Sequence, residues 1–162
     1  MSQAKKTNAC RLLDQRAIAY SLRSYEVDES DLSADAVAHK TGLPVSQLYK
    51  TLCVIADDRA LLLGVVAGDR ELDLKVLARV AQKRALSPVP MKDLFALTGY
   101  VRGGVTALAC KKPYPVFLDA AALALPIISV SAGQRGLQIL LSPADYRAAT
   151  NATVAEISRN KT

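Results

Sequence analysis

The sequence predicts an α+β fold, a single domain on a mixed, mostly antiparallel and partly closed β-sheet with helices around it. Three observations carry this. Apolar runs of strand length outnumber amphipathic helical stretches, hairpin-type turn sequences recur, and the helical stretches are interspersed irregularly instead of alternating with strands. The 162 residues suit one domain with one sizeable core, and no repeat, low-complexity stretch or linker divides them.

The elements follow from local signals. Residues 8–19 place Leu12, Leu13 and Ala17 on one helical face, and 19–27 shift to strand-like alternation. Ser33 is a helix N-cap with Asp35 in the first turn, and Gly42 with Pro44 stops that helix. Residues 50–56 and 60–67 are apolar runs split by Asp57-Asp58-Arg59, a hairpin signal. Residues 73–83 have helical spacing at Leu74, Leu77, Val80 and Ala81, and a short helix at 92–97 leads to Gly99 and a tight turn through Gly103-Gly104. Strands are expected at 116–119, 127–131 and 137–141, the last two joined by a loop with Gly133 and Gly136. Ser142-Pro143-Ala144-Asp145 combines a cap, a first-position proline and a first-turn acid, so a helix starts there.

With 51% hydrophobic residues, 5% aromatic and no tryptophan, the core is expected to be aliphatic. The polar ends, 1–8 and 158–162, are expected to be flexible. The uncharged stretch 120–133 is too short to span a bilayer, and no apolar signal region follows Lys5 and Lys6. A cytoplasmic protein without membrane contact is expected. Cys10, Cys53 and Cys110 form no paired or zinc-ligating spacing, so reduced thiols and no metal or cofactor are expected. His39, the one histidine, reads as a solvated surface residue, which leaves a histidine-based hydrolase without parts. Cys53 reads as core. Cys110 stands beside Lys111 and Lys112, which would lower its pKa, although a thiol without catalytic consequence is the expected reading. The net charge of +6 favours a polyanionic partner such as RNA without requiring one.

Three distant segments can carry chemistry. In Tyr49-Lys50-Thr51-Leu52 a lysine sits at the mouth of an apolar strand, where an ammonium can hold a phosphate or polarise a carbonyl; the plain alternative is a boundary lysine facing solvent. In Thr98-Gly99-Tyr100-Val101-Arg102-Gly103-Gly104-Val105-Thr106 the adjacent glycines let a ligand approach main-chain N–H groups, or simply make a turn. No Gly-Lys-Ser/Thr follows, so this is not a phosphate-binding P-loop. Ser131, before Ala132-Gly133-Gln134-Arg135-Gly136, can reach into a cleft or bond its own backbone.

In order and spacing these segments resemble the YbaK family of aminoacyl-tRNA deacylases, whose relatives include the insertion editing domain of bacterial prolyl-tRNA synthetases. The matching text is Tyr25 in RSYE, YKTL at 49–52, TGYVRGG at 98–104, KK at 111–112 and SVSAGQRGLQILLSP at 129–143. It covers about residues 12 to 145. Cysteinyl-tRNA(Pro) deacylases look most similar, through the SxGxRGL loop. The resemblance implies that Lys50 is the essential lysine holding the acylated tRNA end. It also implies that Tyr25, Gly103, Gly104, Thr106, Ser131 and Gly133 belong to the amino-acid pocket, and that the fold is the family's mixed α+β sheet. The family's loop usually runs Gly-Gly-x-Ser-Pro-x-Gly. Here Thr106 keeps the hydroxyl, but Ala107 replaces the proline and Ala109 the second glycine.

For the cysteine-specific relatives, the resemblance implies a reaction in which the substrate's thiolate attacks its own ester carbonyl. Such an enzyme needs to fix geometry and stabilise developing charge, with no nucleophile of its own. The expected function is removal of cysteine from Cys-tRNA(Pro), with Cys-tRNA(Cys) as a second substrate. The expected partners are the acceptor end of aminoacyl-tRNA and prolyl-tRNA synthetase, and no DNA. Electrostatic RNA contact is expected from Arg102, Lys111 and Lys112. The alternatives are a deacylase for another mischarged tRNA such as Ala-tRNA(Pro), a non-catalytic tRNA- or synthetase-binding module, and a small-molecule binder without an RNA partner.

Overall fold

Caps and turns written into the sequence divide the chain. The computed structural model describes residues 6–162, so 1–5 of the expected loose end 1–8 lie outside the described residues, whereas Thr7 caps a helix that begins at Asn8, against the expectation. In chain order the elements are α1 (Asn8–Gln15), β1 (Ser21–Ser24), α2 (Ala34–Thr41), β2 (Tyr49–Ala56), β3 (Leu61–Ala67), β4 (Arg70–Leu72), α3 (Leu74–Val80) and β5 (Leu86–Pro88). Then follow α4 (Met91–Thr98), β6 (Val116–Asp119), β7 (Ile128–Ser131), β8 (Leu137–Leu141), α5 (Pro143–Thr150), β9 (Thr153–Ala155) and β10 (Ser158–Asn160). Ser33, Asp73 and Ser142 cap α2, α3 and α5 by accepting the backbone N–H three residues on, and Gly42 and Gly99 close α2 and α4 at positive φ.

The N-terminal helix stops four residues before the expected limit of 19. Ala17 turns left-handed at φ 54, and Ile18 N–H reaches back to Leu13 O, a bond that closes the helix. At the other end, the expectation of a loose 158–162 is corrected: Ser158–Asn160 is a strand, antiparallel to β4. Buried Asp119 provides the reason. Its carboxylate accepts from Ile157 N (2.9 Å), Ser158 N (3.2 Å) and the Ser158 hydroxyl (2.9 Å).

A five-stranded sheet runs β5-β2-β3-β6-β9, a second runs β1-β8-β7, and β10 pairs with β4. The β3–β6 and β6–β9 pairings are parallel and the other strand pairings antiparallel, so the system is mixed as expected. It does not close into a barrel; one parallel bridge, Leu48 to Ser129, stitches the first two sheets. One face of the larger sheet packs against α1, α5 and the second sheet through Leu13, Leu63, Val65, Leu118, Ile139 and Tyr146. The other face packs Val54, Leu62 and Val66 against Leu72, Leu77 and Ile157. Among the described residues no helix is long and apolar enough to cross a membrane.

This topology leaves one gap. Leu48 O accepts Gly68 N–H and Ala56 N–H reaches Ala60 O, so even-numbered residues of β2 turn their backbone groups toward β3. Cys53 O instead accepts Val89 N–H on the opposite edge. That edge is covered by β5 from Val54 to Ala56 and tied to β7 through Leu48, which leaves the stretch around Thr51 unpaired by any strand.

Candidate active site

A cavity of about 620 Å³ opens at this gap, with Lys50, Gly103 and Ser131 in its lining. Three elements distant in sequence therefore converge there: β2 brings the lysine, the turn after α4 brings the glycine, and the end of β7 brings the serine. The walls are mainly apolar.

Lys50 is half-buried, on the face of β2 that also carries Leu52 and Val54. Burial is the main influence lowering its pKa and the Lys161 charge adds to it, while Glu71, Asp35 and Asp69 pull the other way. No ion pair among the described residues involves Lys50. An ammonium held in a mainly apolar pocket without a counter-ion is poised to meet an incoming anion, or charge that develops during reaction.

Ser131 is almost fully buried, and its Oγ accepts Gly133 N–H at 3.1 Å. The hydroxyl so bonds its own loop, which fixes the oxygen while its proton can still be donated toward the cavity. In register across from Ser131 is Gln138, a buried amide whose Oε1 accepts the Ser129 hydroxyl at 2.9 Å. Gln138 also borders the cavity and was not anticipated from sequence. A polar side chain within an otherwise apolar strand is the signal that could have found it. Thr51, Glu71 and Lys161, likewise unanticipated, border the cavity too.

The remaining expected residues stand behind this lining. Gly104 N–H is committed to Val101 O at 2.9 Å, and a Cβ on Gly104 would lie 3.1 Å from the Gln134 backbone. Gly133 has φ +100, and a Cβ there would meet the Tyr100 ring at 2.9 Å. These glycines let the two loops lie against each other, a contact that Arg135 Nε fastens by donating to Arg102 O at 2.7 Å. Thr106 is fully buried and its hydroxyl accepts Leu108 N–H, so it shapes the loop from inside. Tyr25 donates its backbone N–H to Gly136 O, extending the pairing beyond β1. None of these four borders the cavity.

The cysteines follow burial. Cys53 is in the core with its thiol pushed up to about 11. The expectation that Lys111 and Lys112 lower the Cys110 pKa is corrected: burial, with Cys53 adding to it, pushes that thiol up to about 11, and its Sγ donates to Thr106 O. Both lysines are exposed, so water screens what they would contribute. Arg102 borders the main cavity, whereas Lys112 borders a second one with Arg16. His39 is exposed in the last turn of α2, as expected.

The sequence pattern of the family described as "Aminoacyl-tRNA editing domain" matches residues 29–149. The chain is 37% identical over 154 residues to a protein of Enterococcus faecalis (strain ATCC 700802 / V583) named as a Cys-tRNA(Pro)/Cys-tRNA(Cys) deacylase, EbsC. That alignment spans 95% of this chain and 94% of the relative. Two crystal structures share the fold. One, named as a trans-editing enzyme for prolyl-tRNA synthetase, has a TM-score of 0.80 at 24% identity over 97% of this chain and 100% of its own. The other, of the hypothetical protein APE2540, has a TM-score of 0.86 at 22% identity over 94% and 100%.

Proposed function

The chain belongs to the aminoacyl-tRNA editing domain family, and from that premise we propose that it is a deacylase that removes cysteine from mischarged Cys-tRNA(Pro). One observation supports the chemistry above others: a half-buried lysine without an ion-pair partner, in a mainly apolar cavity bordered by Ser131 and Gly103. The relative named as a Cys-tRNA(Pro)/Cys-tRNA(Cys) deacylase supports the amino acid and offers Cys-tRNA(Cys) as the second substrate.

The aminoacyl ester is already activated, so positioning and charge stabilisation suffice. The cysteinyl sulfur, as thiolate, bonds to its own ester carbonyl carbon. The bond from that carbon to the ribose oxygen then breaks, giving a thiolactone and tRNA with a restored hydroxyl. The proton lost by the thiol ends on the ribose oxygen. Lys50 favours the thiolate and the developing oxyanion by its charge, and its lowered pKa eases passage of a proton toward the leaving oxygen. Gly103 N–H, which has no backbone acceptor among the described residues, supplies a further donor, and the Ser131 hydroxyl orients the ligand. The cavity meets only the acylated end of the tRNA, which does not tell one tRNA from another, so selection of tRNA(Pro) is assigned to a partner, prolyl-tRNA synthetase.

The test is deacylation of Cys-tRNA(Pro), Cys-tRNA(Cys) and Ala-tRNA(Pro) by the wild-type chain and Lys50→Ala. Loss of the cysteinyl ester, abolished by the substitution, is expected. Turnover of the alanyl ester alone would replace cysteine by alanine as substrate. Turnover of none, with tRNA binding intact, would make the chain a binding module.

A further inference from the structure

We propose that Lys161, set at the cavity by the pairing of β10 with β4, binds the phosphate of the substrate's terminal nucleotide and so positions the acyl ester against Lys50. The inference rests on the deacylase reading for its substrate, and its test does not require deacylation.

The placement of Lys161 is built by the residues before it. Ile157 is fully buried, and Ser158 is clamped by the Asp119 carboxylate. Arg70 donates to Ser158 Oγ at 3.0 Å, to Ser158 O at 3.2 Å and to the Asn160 side-chain oxygen. Arg159 lies across from Glu71 and pairs with it at 3.3 Å. The side chains of 157 to 160 are thus occupied with the fold. Lys161 forms no ion pair among the described residues, and it borders the cavity that holds Lys50.

Charge accounting points to an anion. The cations bordering the cavity are Lys50, Arg102 and Lys161, and Glu71 is the one carboxylate among the described lining residues. Arg159 already pairs with Glu71 from outside, so the cavity carries uncompensated positive charge. A substrate acylated on its terminal ribose brings its nearest phosphate one sugar away from the ester. Two separate ammonium groups match that arrangement, one for the ester and one for the phosphate. Coupling follows. Lys161 repels the Lys50 ammonium alongside the larger effect of burial, against the pull of Glu71, Asp35 and Asp69. A phosphate resting on Lys161 cancels that repulsion, so docking of the correct end favours the charged form of Lys50.

The experiment measures binding of an uncharged RNA minihelix ending in CCA, by fluorescence anisotropy across a range of potassium chloride concentrations. Lys161→Met keeps the stem and removes the charge. It is expected to weaken binding roughly fivefold at low salt and to flatten the slope of log affinity against log salt by about 0.7, the loss of one phosphate contact to a single strand. Lys161→Arg is expected to restore both. Wild-type affinity and slope in Lys161→Met would overturn the proposal. So would weaker binding with an unchanged slope, because that pattern marks a structural effect. A wild-type chain that binds the minihelix but hydrolyses no aminoacyl ester would overturn the deacylase reading and leave the phosphate contact standing.

Discussion

At Lys50, burial and the charge of Lys161 act together to lower the pKa below 10.5, the ordinary lysine value, and nearby carboxylates recover part of the shift. A base whose folded pKa lies below its unfolded value binds fewer protons when folded, so the fold is penalised at all pH values below the folded pKa. The penalty fades as pH rises from the folded pKa toward the unfolded one. Lys50→Met is therefore expected to be more stable than wild type at neutral pH and to lose the alkaline rise in stability, which urea unfolding at several pH values reads directly. The same variant is expected to lose about 10²-fold or more in kcat/KM, because the positioned charge goes with the stem's amine. Ala109 poses the opposite case, with strain unconnected to charge. It holds φ 55, where the Cβ of an L-residue costs about 1 kcal/mol, at the position where the resembled family carries glycine. Ala109→Gly is expected to gain up to about 0.5 kcal/mol after the added chain entropy is counted, raising the melting temperature by about 1–2 °C. An unchanged or lower melting temperature would show that the loop holds Ala109 there without strain.

Cavity walls depend on how closely the elements approach, and Gly68 sets the closest approach of α2. A Cβ at Gly68 would lie 2.7 Å from the Ala34 Cβ and 3.1 Å from the Val45 carbonyl oxygen, and neither can swing aside. Ser33, Ala34 and Val37 of that helix and its cap border the cavity. Gly68→Ala is expected to cost about 1–3 kcal/mol in unfolding free energy and to raise KM, since pushing α2 outward widens the pocket. A normal KM with lowered stability would show that the wall recovers its position. Elements of this kind were readable where chemistry marks their ends: Ser33 and Ser142 announced their helices, and Asp57-Asp58-Arg59 announced the hairpin. The three-residue strands β4, β5, β9 and β10 were not, because a segment that short has no period of its own and exists through its partner. The site divides the same way. Lys50, Gly103 and Ser131 stood out as polar or glycine interruptions of apolar text. Glu71 and Lys161 reach the cavity only through the β10–β4 register, which local sequence does not specify.

Across the whole molecule, two cores lie on opposite faces of the five-stranded sheet, and Asp119 at the end of β6 ties the chain's last strand to that sheet. The carboxylate is 4% exposed and its partners are all supplied by residues 157 and 158. A chain truncated after Ile157 keeps the buried side chain of that residue but strips Asp119 of the two Ser158 donors. It also leaves Arg70 without its acceptors on β10 and Glu71 without Arg159. Each exposed contact is worth little, and the cost concentrates at the buried carboxylate, where removing partners from a buried charge typically costs about 3–5 kcal/mol. Against a total stability of about 5–15 kcal/mol this is a large share, so truncation is expected to lower the urea midpoint markedly. Asp119→Ala in the truncated chain then separates the causes. With the charge gone there is nothing left to desolvate, so the double variant is expected to recover part of the loss. A truncated chain as stable as the full one would mean that water replaces the Ser158 donors without cost, and that β10 rests on the fold without supporting it.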